Sequence, residues 1–259
     1  MLTHLSLFSG IGGLDLAAEW AGFKMVGQCE WGDYQTKILK KHWPDVPKWR
    51  DIHELSADEF YKRTKEKNVT VISGGFPCQP HSLSGKRKAS DDERDLWPEY
   101  IRIVREIKPR WVVGENVPGI LSSENGRFFG NVLRELAECG YHAFWYCFPA
   151  HAVGAPFWGN RVAIVAASDS LRWDCMEKNK KIRPNGKYLE MLEEWKARQA
   201  DLLSYLERPD TLPERRHSRN DDGISEGMDR LECLGNAVVP YQFYLFFKEI
   251  ADIEEEQNE

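Results

Sequence analysis

The sequence has no apolar run near the ~20 residues needed to cross a bilayer, and its N-terminus lacks a charged stretch followed by an apolar one. These absences predict no membrane association, no secretory leader and a cytoplasmic location. The six cysteines, at positions 29, 78, 139, 147, 175 and 233, include no C-x-x-C pair. That spacing argues against a disulfide framework and against a structural metal site, and it fits reduced thiols. An excess of basic residues is missing too: 35 Lys and Arg face 41 Asp and Glu, for a net charge of −6. Because nucleic-acid binders usually carry a basic face, this balance counts mildly against such a partner. There is no internal repeat.

What is present is a chain of 259 residues, 42% hydrophobic, long enough for one α/β domain with an insertion or for a large and a small domain. Positive charge is local, at Lys86-Arg87-Lys88, from Lys178 to Lys187 and at Arg215-Arg216, while Asp252 to Glu259 reads as a solvated acidic tail. Short apolar runs at Leu5 to Phe8, Met25 to Cys29, Val46 to Trp49, Val69 to Ile72 and Trp111 to Val113 read as buried strands. Helical patterns separate them: Leu14 to Ala21, a segment opened by the capping box Ser56-Ala57-Asp58-Glu59, and the amphipathic stretch of Tyr100, Ile103, Val104 and Ile107. A further helix around Val132 to Leu136 and strands at His142 to Phe148 and Arg161 to Ala166 complete the alternation. This is the pattern of a mostly parallel sheet.

Each of the first five strands finishes on a glycine turn or a polar residue: Ser9 to Gly13, Glu30-Trp31, Asp51-Ile52, Gly74 to Pro80, and Glu115-Asn116. In a parallel sheet those ends share one edge, where α/β proteins bind ligands. Singly, Glu30 or Asp51 reads best as a helix cap or a solvated loop charge; repeated along one edge, they read as one site. The stretch Gly74-Gly75-Phe76-Pro77-Cys78-Gln79-Pro80 is the most informative. The glycines admit a sharp turn, Pro77 stiffens the approach to Cys78, and the frame has polar neighbours. The ordinary fate of a free cysteine is to pack as a small hydrophobe; this frame favours a nucleophile instead.

The alternation stops after Ala166. Residues 168–219 begin basic and then carry Leu189, Leu192, Trp195, Leu202 and Leu206 at helical spacing, as a small inserted segment would. The loop Lys178 to Lys187 reads equally well as a phosphate contact and as a solvated loop. Leu234-Gly235-Asn236-Ala237-Val238-Val239-Pro240 then opens an aromatic, apolar helix that would return to the main core.

With these residues placed, the chain resembles the DNA (cytosine-5) methyltransferases from about residue 5 to 247. Phe8-Ser9-Gly10-Ile11-Gly12-Gly13 is similar to the motif around the methionine part of S-adenosyl-L-methionine. Glu30-Trp31 and Asp51-Ile52 are similar to the motifs that hold its ribose and adenine. Gly74 to Pro80 resembles the Pro-Cys motif, Glu115-Asn116-Val117 the Glu-Asn-Val motif, and Gly235 to Val238 the final motif. Arg161 falls on the last arginine of Gln-x-Arg-x-Arg. Three departures stand out: His81 replaces the usual Phe after Cys-Gln-Pro, Phe157 and Gly159 replace the Gln and the first Arg, and the recognition segment is short. The Cys78-x-x-His81 spacing could suggest zinc or a Cys–His dyad, but no second ligand pair or third member accompanies it.

The resemblance implies a Rossmann-like α/β methyltransferase fold with a catalytic and cofactor-binding part at 1–167, a target-recognition segment at 168–219, a returning motif and helix at 220–250, and a tail at 251–259. It implies catalysis by Cys78, Glu115 and Arg161. The cofactor would be held by Phe8, Gly10, Gly12, Gly13, Leu14, Glu30, Trp31, Asp51, Ile52, Pro77, Asn236 and Val238. Phe76, Gln79, Ser82, Lys86, Arg87, Lys88 and Asn116 would meet duplex DNA, with Ser82 to Asp95 as a loop closing over a flipped base. A cognate restriction endonuclease, a monomeric state and the cytoplasm of a bacterial or phage-infected cell are the implied setting. The competing readings are an RNA-modifying relative and a non-catalytic DNA-binding or regulatory relative.

Overall fold

The structure, a computed structural model, describes residues 1–77, 95–155, 158–171 and 237–258. Seven strands form one sheet in the order β3-β2-β1-β4-β5-β7-β6. They are β1 (Thr3–Leu7), β2 (Lys24–Cys29), β3 (Lys48–Trp49), β4 (Val71–Gly75), β5 (Trp111–Asn116), β6 (Tyr141–Phe148) and β7 (Arg161–Ser168). The first five are parallel. β7 runs antiparallel between β5 and β6, so its first residues lie beside the last residues of β5. The sequence order reverses between β1 and β4, the kind of switch point past whose strand ends α/β sheets bind ligands.

Alternate strand residues feed two cores, as the two-residue period of a strand requires. Leu5, Leu7, Ile72 and Val112 point to the face covered by α3 (Ala57–Thr64), α4 (Trp97–Ile107) and α5 (Arg127–Glu138). Val71, Trp111, Val113, Ala163 and Val165 point to the face covered by α1 (Gly13–Trp20) and by the last described helix, α6 (Pro240–Asn258). A further helix, α2 (Asp33–His42), joins β2 to β3. The capping box forms as expected: Ser56 Oγ accepts from Glu59 N at 3.2 Å.

α6 returns to the core through an aromatic face, with Phe247 edge-on to His4 and to Phe23. The expected solvated tail is corrected here. The helix runs through Asp252 to Asn258, and Ile253 and Glu254 are buried. Glu254 Oε1 accepts from Trp111 Nε1 at 2.7 Å and from Arg110 Nε at 2.8 Å, so part of the acidic run anchors the helix to β5. Composition gave the charge of this stretch but not the two donors, Arg110 and Trp111, waiting at the start of a distant strand. The third strand is also shorter than its apolar run, covering Lys48–Trp49 alone. The recognition segment lies outside the described residues beyond Leu171, as does the final motif before Ala237.

Candidate active site

One half of the strand-end edge is built on the glycine turn after β1. The Ser9 N–H donates to the Cys29 carbonyl at 3.1 Å, and the Gly12 N–H returns to the Ser9 carbonyl at 2.9 Å. Phe8 sits at φ +51°, a left-handed backbone that a bulky residue rarely adopts; its ring stacks on Tyr100 at 6.4 Å. Glu30 ties two loops together. Its Oε2 accepts from Gly10 N and its Oε1 from Gly32 N, both at 2.7 Å. A Cβ added at Gly10 would meet nothing within 4 Å, so the turn is open on that side, whereas one on Gly13 would lie 2.7 Å from the Val238 carbonyl. The far end of the chain is therefore seated on this turn.

Trp31 is 72% exposed, while Leu14 and Ile52 are packed in the cores. The Asp51 carboxylate caps the next turn, accepting from His53 N at 2.9 Å and lying 2.6 Å from His53 Nδ1. These bonds hold Asp51 below the usual carboxylate range. Cys29, at the end of β2, is buried, and burial pushes its thiol up to about 12, so it packs as an inert side chain.

The other half lies past β4, β5 and the start of β7. Leu7 of β1 pairs with Gly74 of β4, and a Cβ on Gly74 would sit 2.6 Å from the Leu7 carbonyl. On Gly75 it would sit 2.5 Å from Glu115 Oε2. Both glycines are thus required by close approach. Phe76 is buried against Trp97 and Tyr100, at 4.9 and 5.7 Å between ring centroids, so its ring belongs to the core. Its carbonyl accepts from Asn116 Nδ2 at 2.8 Å, and Asn116 Oδ1 accepts from Val117 N at 2.9 Å. Phe76 and Asn116, expected to meet DNA, are thus engaged with the protein itself: the asparagine side chain fixes the segment that leads through half-buried Pro77 to Cys78.

Glu115 is 9% exposed, and Arg161 Nε lies 2.8 Å from its Oε1. The approach is that of an ion pair, but the buried Nε–H is not aimed squarely enough to make a hydrogen bond. Burial pushes the Glu115 carboxyl up to about 7, against the downward pull of the guanidinium. A carboxyl poised there can hold a proton near neutral pH and donate it. Among the described residues no group of His, Cys, Asp and Glu has the arrangement of a metal site.

At the altered arginine motif, Gly159 has φ +42°, a backbone suited to glycine and strained for the arginine it replaces. Trp158 packs against His151 at 4.2 Å between ring centroids, edge to face, yet is 71% exposed. Cys78, Gln79, Ser82, Lys86, Arg87, Lys88, Phe157 and Asn236 lie outside the described residues. Reading the sequence missed the Asn116–Phe76 tie and the Gly75–Glu115 contact. The doubled glycine was the available signal for the second.

A mostly parallel sheet with an antiparallel strand beside β5, and a site strung along its strand ends, defines a Rossmann-like α/β protein of the methyltransferase kind. The profile of the C-5 cytosine-specific DNA methylases matches residues 2–250, and the chain belongs to that family. It is 38% identical over 150 residues to the Type II methyltransferase M.FnuDI of Fusobacterium nucleatum, covering 54% of this chain and 39% of that one. With the Type II methyltransferase M.HgiCII of Herpetosiphon aurantiacus it shares 29% identity over 211 residues, 81% of this chain and 45% of that one. The matched stretches span less than half the length of both relatives. A solved structure of a protein encoded within an Escherichia coli prophage and described as a DNA modification methyltransferase superposes with a TM-score of 0.59 at 27% identity. That likeness covers 66% of this chain and 48% of the other.

Proposed function

We propose that this chain is a DNA cytosine-5 methyltransferase that uses S-adenosyl-L-methionine on duplex DNA. The observation that carries the reading is the buried Glu115–Arg161 pair beside the fixed approach to Cys78, with Glu115 poised near 7. The first half of the edge fits the cofactor. The space over Gly10, the exposed Trp31 indole and the carboxylates of Glu30 and Asp51 on neighbouring strand ends suit a molecule with a cationic head, a ribose and a flat base. The cofactor would supply an electrophilic methyl group.

Carbon 5 of cytosine is a poor nucleophile. Addition of the Cys78 thiolate to carbon 6 breaks the ring's aromaticity and makes carbon 5 enamine-like, splitting one hard step into easier ones. Protonated Glu115 donates to N3 and takes up the charge that builds there. The Arg161 guanidinium offers donors to O2 and stabilises the adduct. Once carbon 5 has accepted the methyl group, loss of its proton to a base expels the Cys78 thiolate and restores the ring. Cytosine in a duplex must first be flipped out, at roughly a few kcal/mol. Residues 168–219 would choose the target site and Lys86, Arg87 and Lys88 would hold phosphates. Relatives named as Type II methyltransferases support a cognate restriction endonuclease as partner.

Transfer of label from S-adenosyl-L-methionine to duplex genomic DNA, with tRNA as a parallel substrate, tests the reading. Label should enter DNA and disappear in Cys78→Ala, and DNA carrying 5-fluorocytosine should trap a denaturant-resistant complex. Label entering only tRNA would establish the RNA-modifying alternative, and absence of transfer to either would establish the non-catalytic one.

A further inference from the structure

Arg161 reaches Glu115 from the first residue of β7, at the exit of the loop 149–160, which begins after β6. Phe148 and Arg161 face each other across β6 and β7 at the base of that loop. The family's two usual loop-supporting residues are replaced here by Phe157 and Gly159. Something else must hold the loop base if Arg161 is to keep its place.

Gln242, on α6, is 1% exposed. Its Nε2 donates to the Gly159 carbonyl at 3.1 Å and to the Phe148 carbonyl at 3.4 Å. One amide group has two N–H donors, so it can serve both carbonyls at once. It stands between Tyr241 and the fully buried Phe243 as the one side chain from Pro240 to Phe247 that is neither apolar nor aromatic. A buried amide is costly without partners, and these partners are the two sides of the loop that delivers Arg161. The Ala150 N–H to the Trp158 carbonyl, at 2.6 Å, closes the loop once more above this clamp.

We propose that Gln242 is a positioning residue for Arg161: by pinning the carbonyls of Phe148 and Gly159 from the last helix, it holds the guanidinium against Glu115. The inference deepens the proposed function and rests on it for what Arg161 does to the base. It gives α6 a part in the chemistry as well as in the core, and it explains how the chain dispenses with the first arginine. Gly159 at φ +42° presents its carbonyl to the clamp in a backbone that an arginine would strain.

The test replaces Gln242 with Met, similar in length but without donors, in the full chain. Glu115 faces no ionisable residue on β4, whose sequence is Val-Ile-Ser-Gly-Gly, and it faces Arg161 from β7. Its titration therefore responds to the guanidinium's position as well as to its own burial. With carbon-13-labelled glutamate, and Glu115→Gln for assignment, the wild-type Glu115 signal should titrate near 7. In Gln242→Met the midpoint should rise, because a loosened Arg161 no longer favours the charged form. Single-turnover methylation should fall between about 10- and 100-fold, the cost of misplacing a reacting group by about an ångström, with little change in KM for the cofactor. An unchanged Glu115 midpoint in a folded variant overturns the proposal, whatever the rate does. Should Met not fold, side-chain amide exchange of Gln242 in the wild type decides: protection supports the clamp and free exchange refutes it. A wild type without methyl transfer would sink the proposed function and leave both readouts on Gln242 intact.

Discussion

The two halves of the strand-end edge are held together by different means. Around β1, β2 and β3 the ties are short-range and made largely to backbone: Glu30 to Gly10 N and Gly32 N, Asp51 to His53 N. Around β4, β5 and β7 they span the chain. Asn116 holds the Phe76 carbonyl, Arg161 pairs with Glu115, and Gln242 clamps the loop base from α6. Under the proposed function the first half would be the receptor for a ligand that is the same in every turnover, with its loops already tied by Glu30. Under the same proposal the second half would hold and release a proton, and its charged pair is flanked by ties from distant elements. Damage to the first half should therefore weaken binding, and damage to the second should slow the chemistry.

The largest expected effect is on the second half. Glu115→Gln keeps the shape but cannot deliver a proton, and single-turnover methylation should drop about 10²–10³-fold, the usual cost of a lost stabilising donor. Cofactor affinity by calorimetry should stay put. The pH sign follows from the raised carboxyl. A group titrating near 7 in the folded chain, against an ordinary value of 4.5, keeps its proton well above the usual carboxylate range and has lost about half of it by neutral pH. Between those values the folded state holds a proton the unfolded chain releases, so this group's contribution to stability declines as pH rises from 4.5 to 7. Glu115→Gln should flatten that part of a stability–pH curve.

Next comes the first half. Glu30→Ala removes a charged acceptor from two N–H groups, worth about 1.5–3 kcal/mol, and should weaken cofactor binding by roughly 10- to 100-fold at an unchanged single-turnover rate under saturation. A loss of rate with unchanged affinity would erase the distinction between the halves. A smaller effect is expected of Gly75→Ala, whose new methyl would press on the Glu115 carboxylate and cost about tenfold in rate, on the scale of a group displaced by less than an ångström. Calorimetry should find the cofactor bound as in the wild type. Smallest for activity is Glu254→Ala, which strips Trp111 and Arg110 of their shared acceptor. Denaturant unfolding should register about 1–3 kcal/mol, and methylation should survive wherever the fold does.

Much of this protein is determined by local sequence. Alternating short apolar runs and helical periods set the α/β class, since a strand and a helix each need one apolar face against the same core. The glycine turns, the capping box at Ser56 and the polar strand ends were legible because each is a demand of the backbone at that point. The resemblance named Glu115 and Arg161 as members of one site, and their direct pairing appears only in the structure. Only burial behind β4 and β7 lifts Glu115 to about 7. The burial of Phe76 and Asn116 and the tie between them were not legible, because exposure is decided by what packs on a residue and not by its neighbours in the chain. The acidic stretch after Asp252 looked solvated, and Gln242 lay unremarked in a helix that read as aromatic and apolar. Both acquired partners only when residues more than eighty positions away were brought beside them. Tertiary structure decided these points because a buried polar group takes its role from the donors and acceptors it meets, and the sheet and α6 bring those together across the length of the chain.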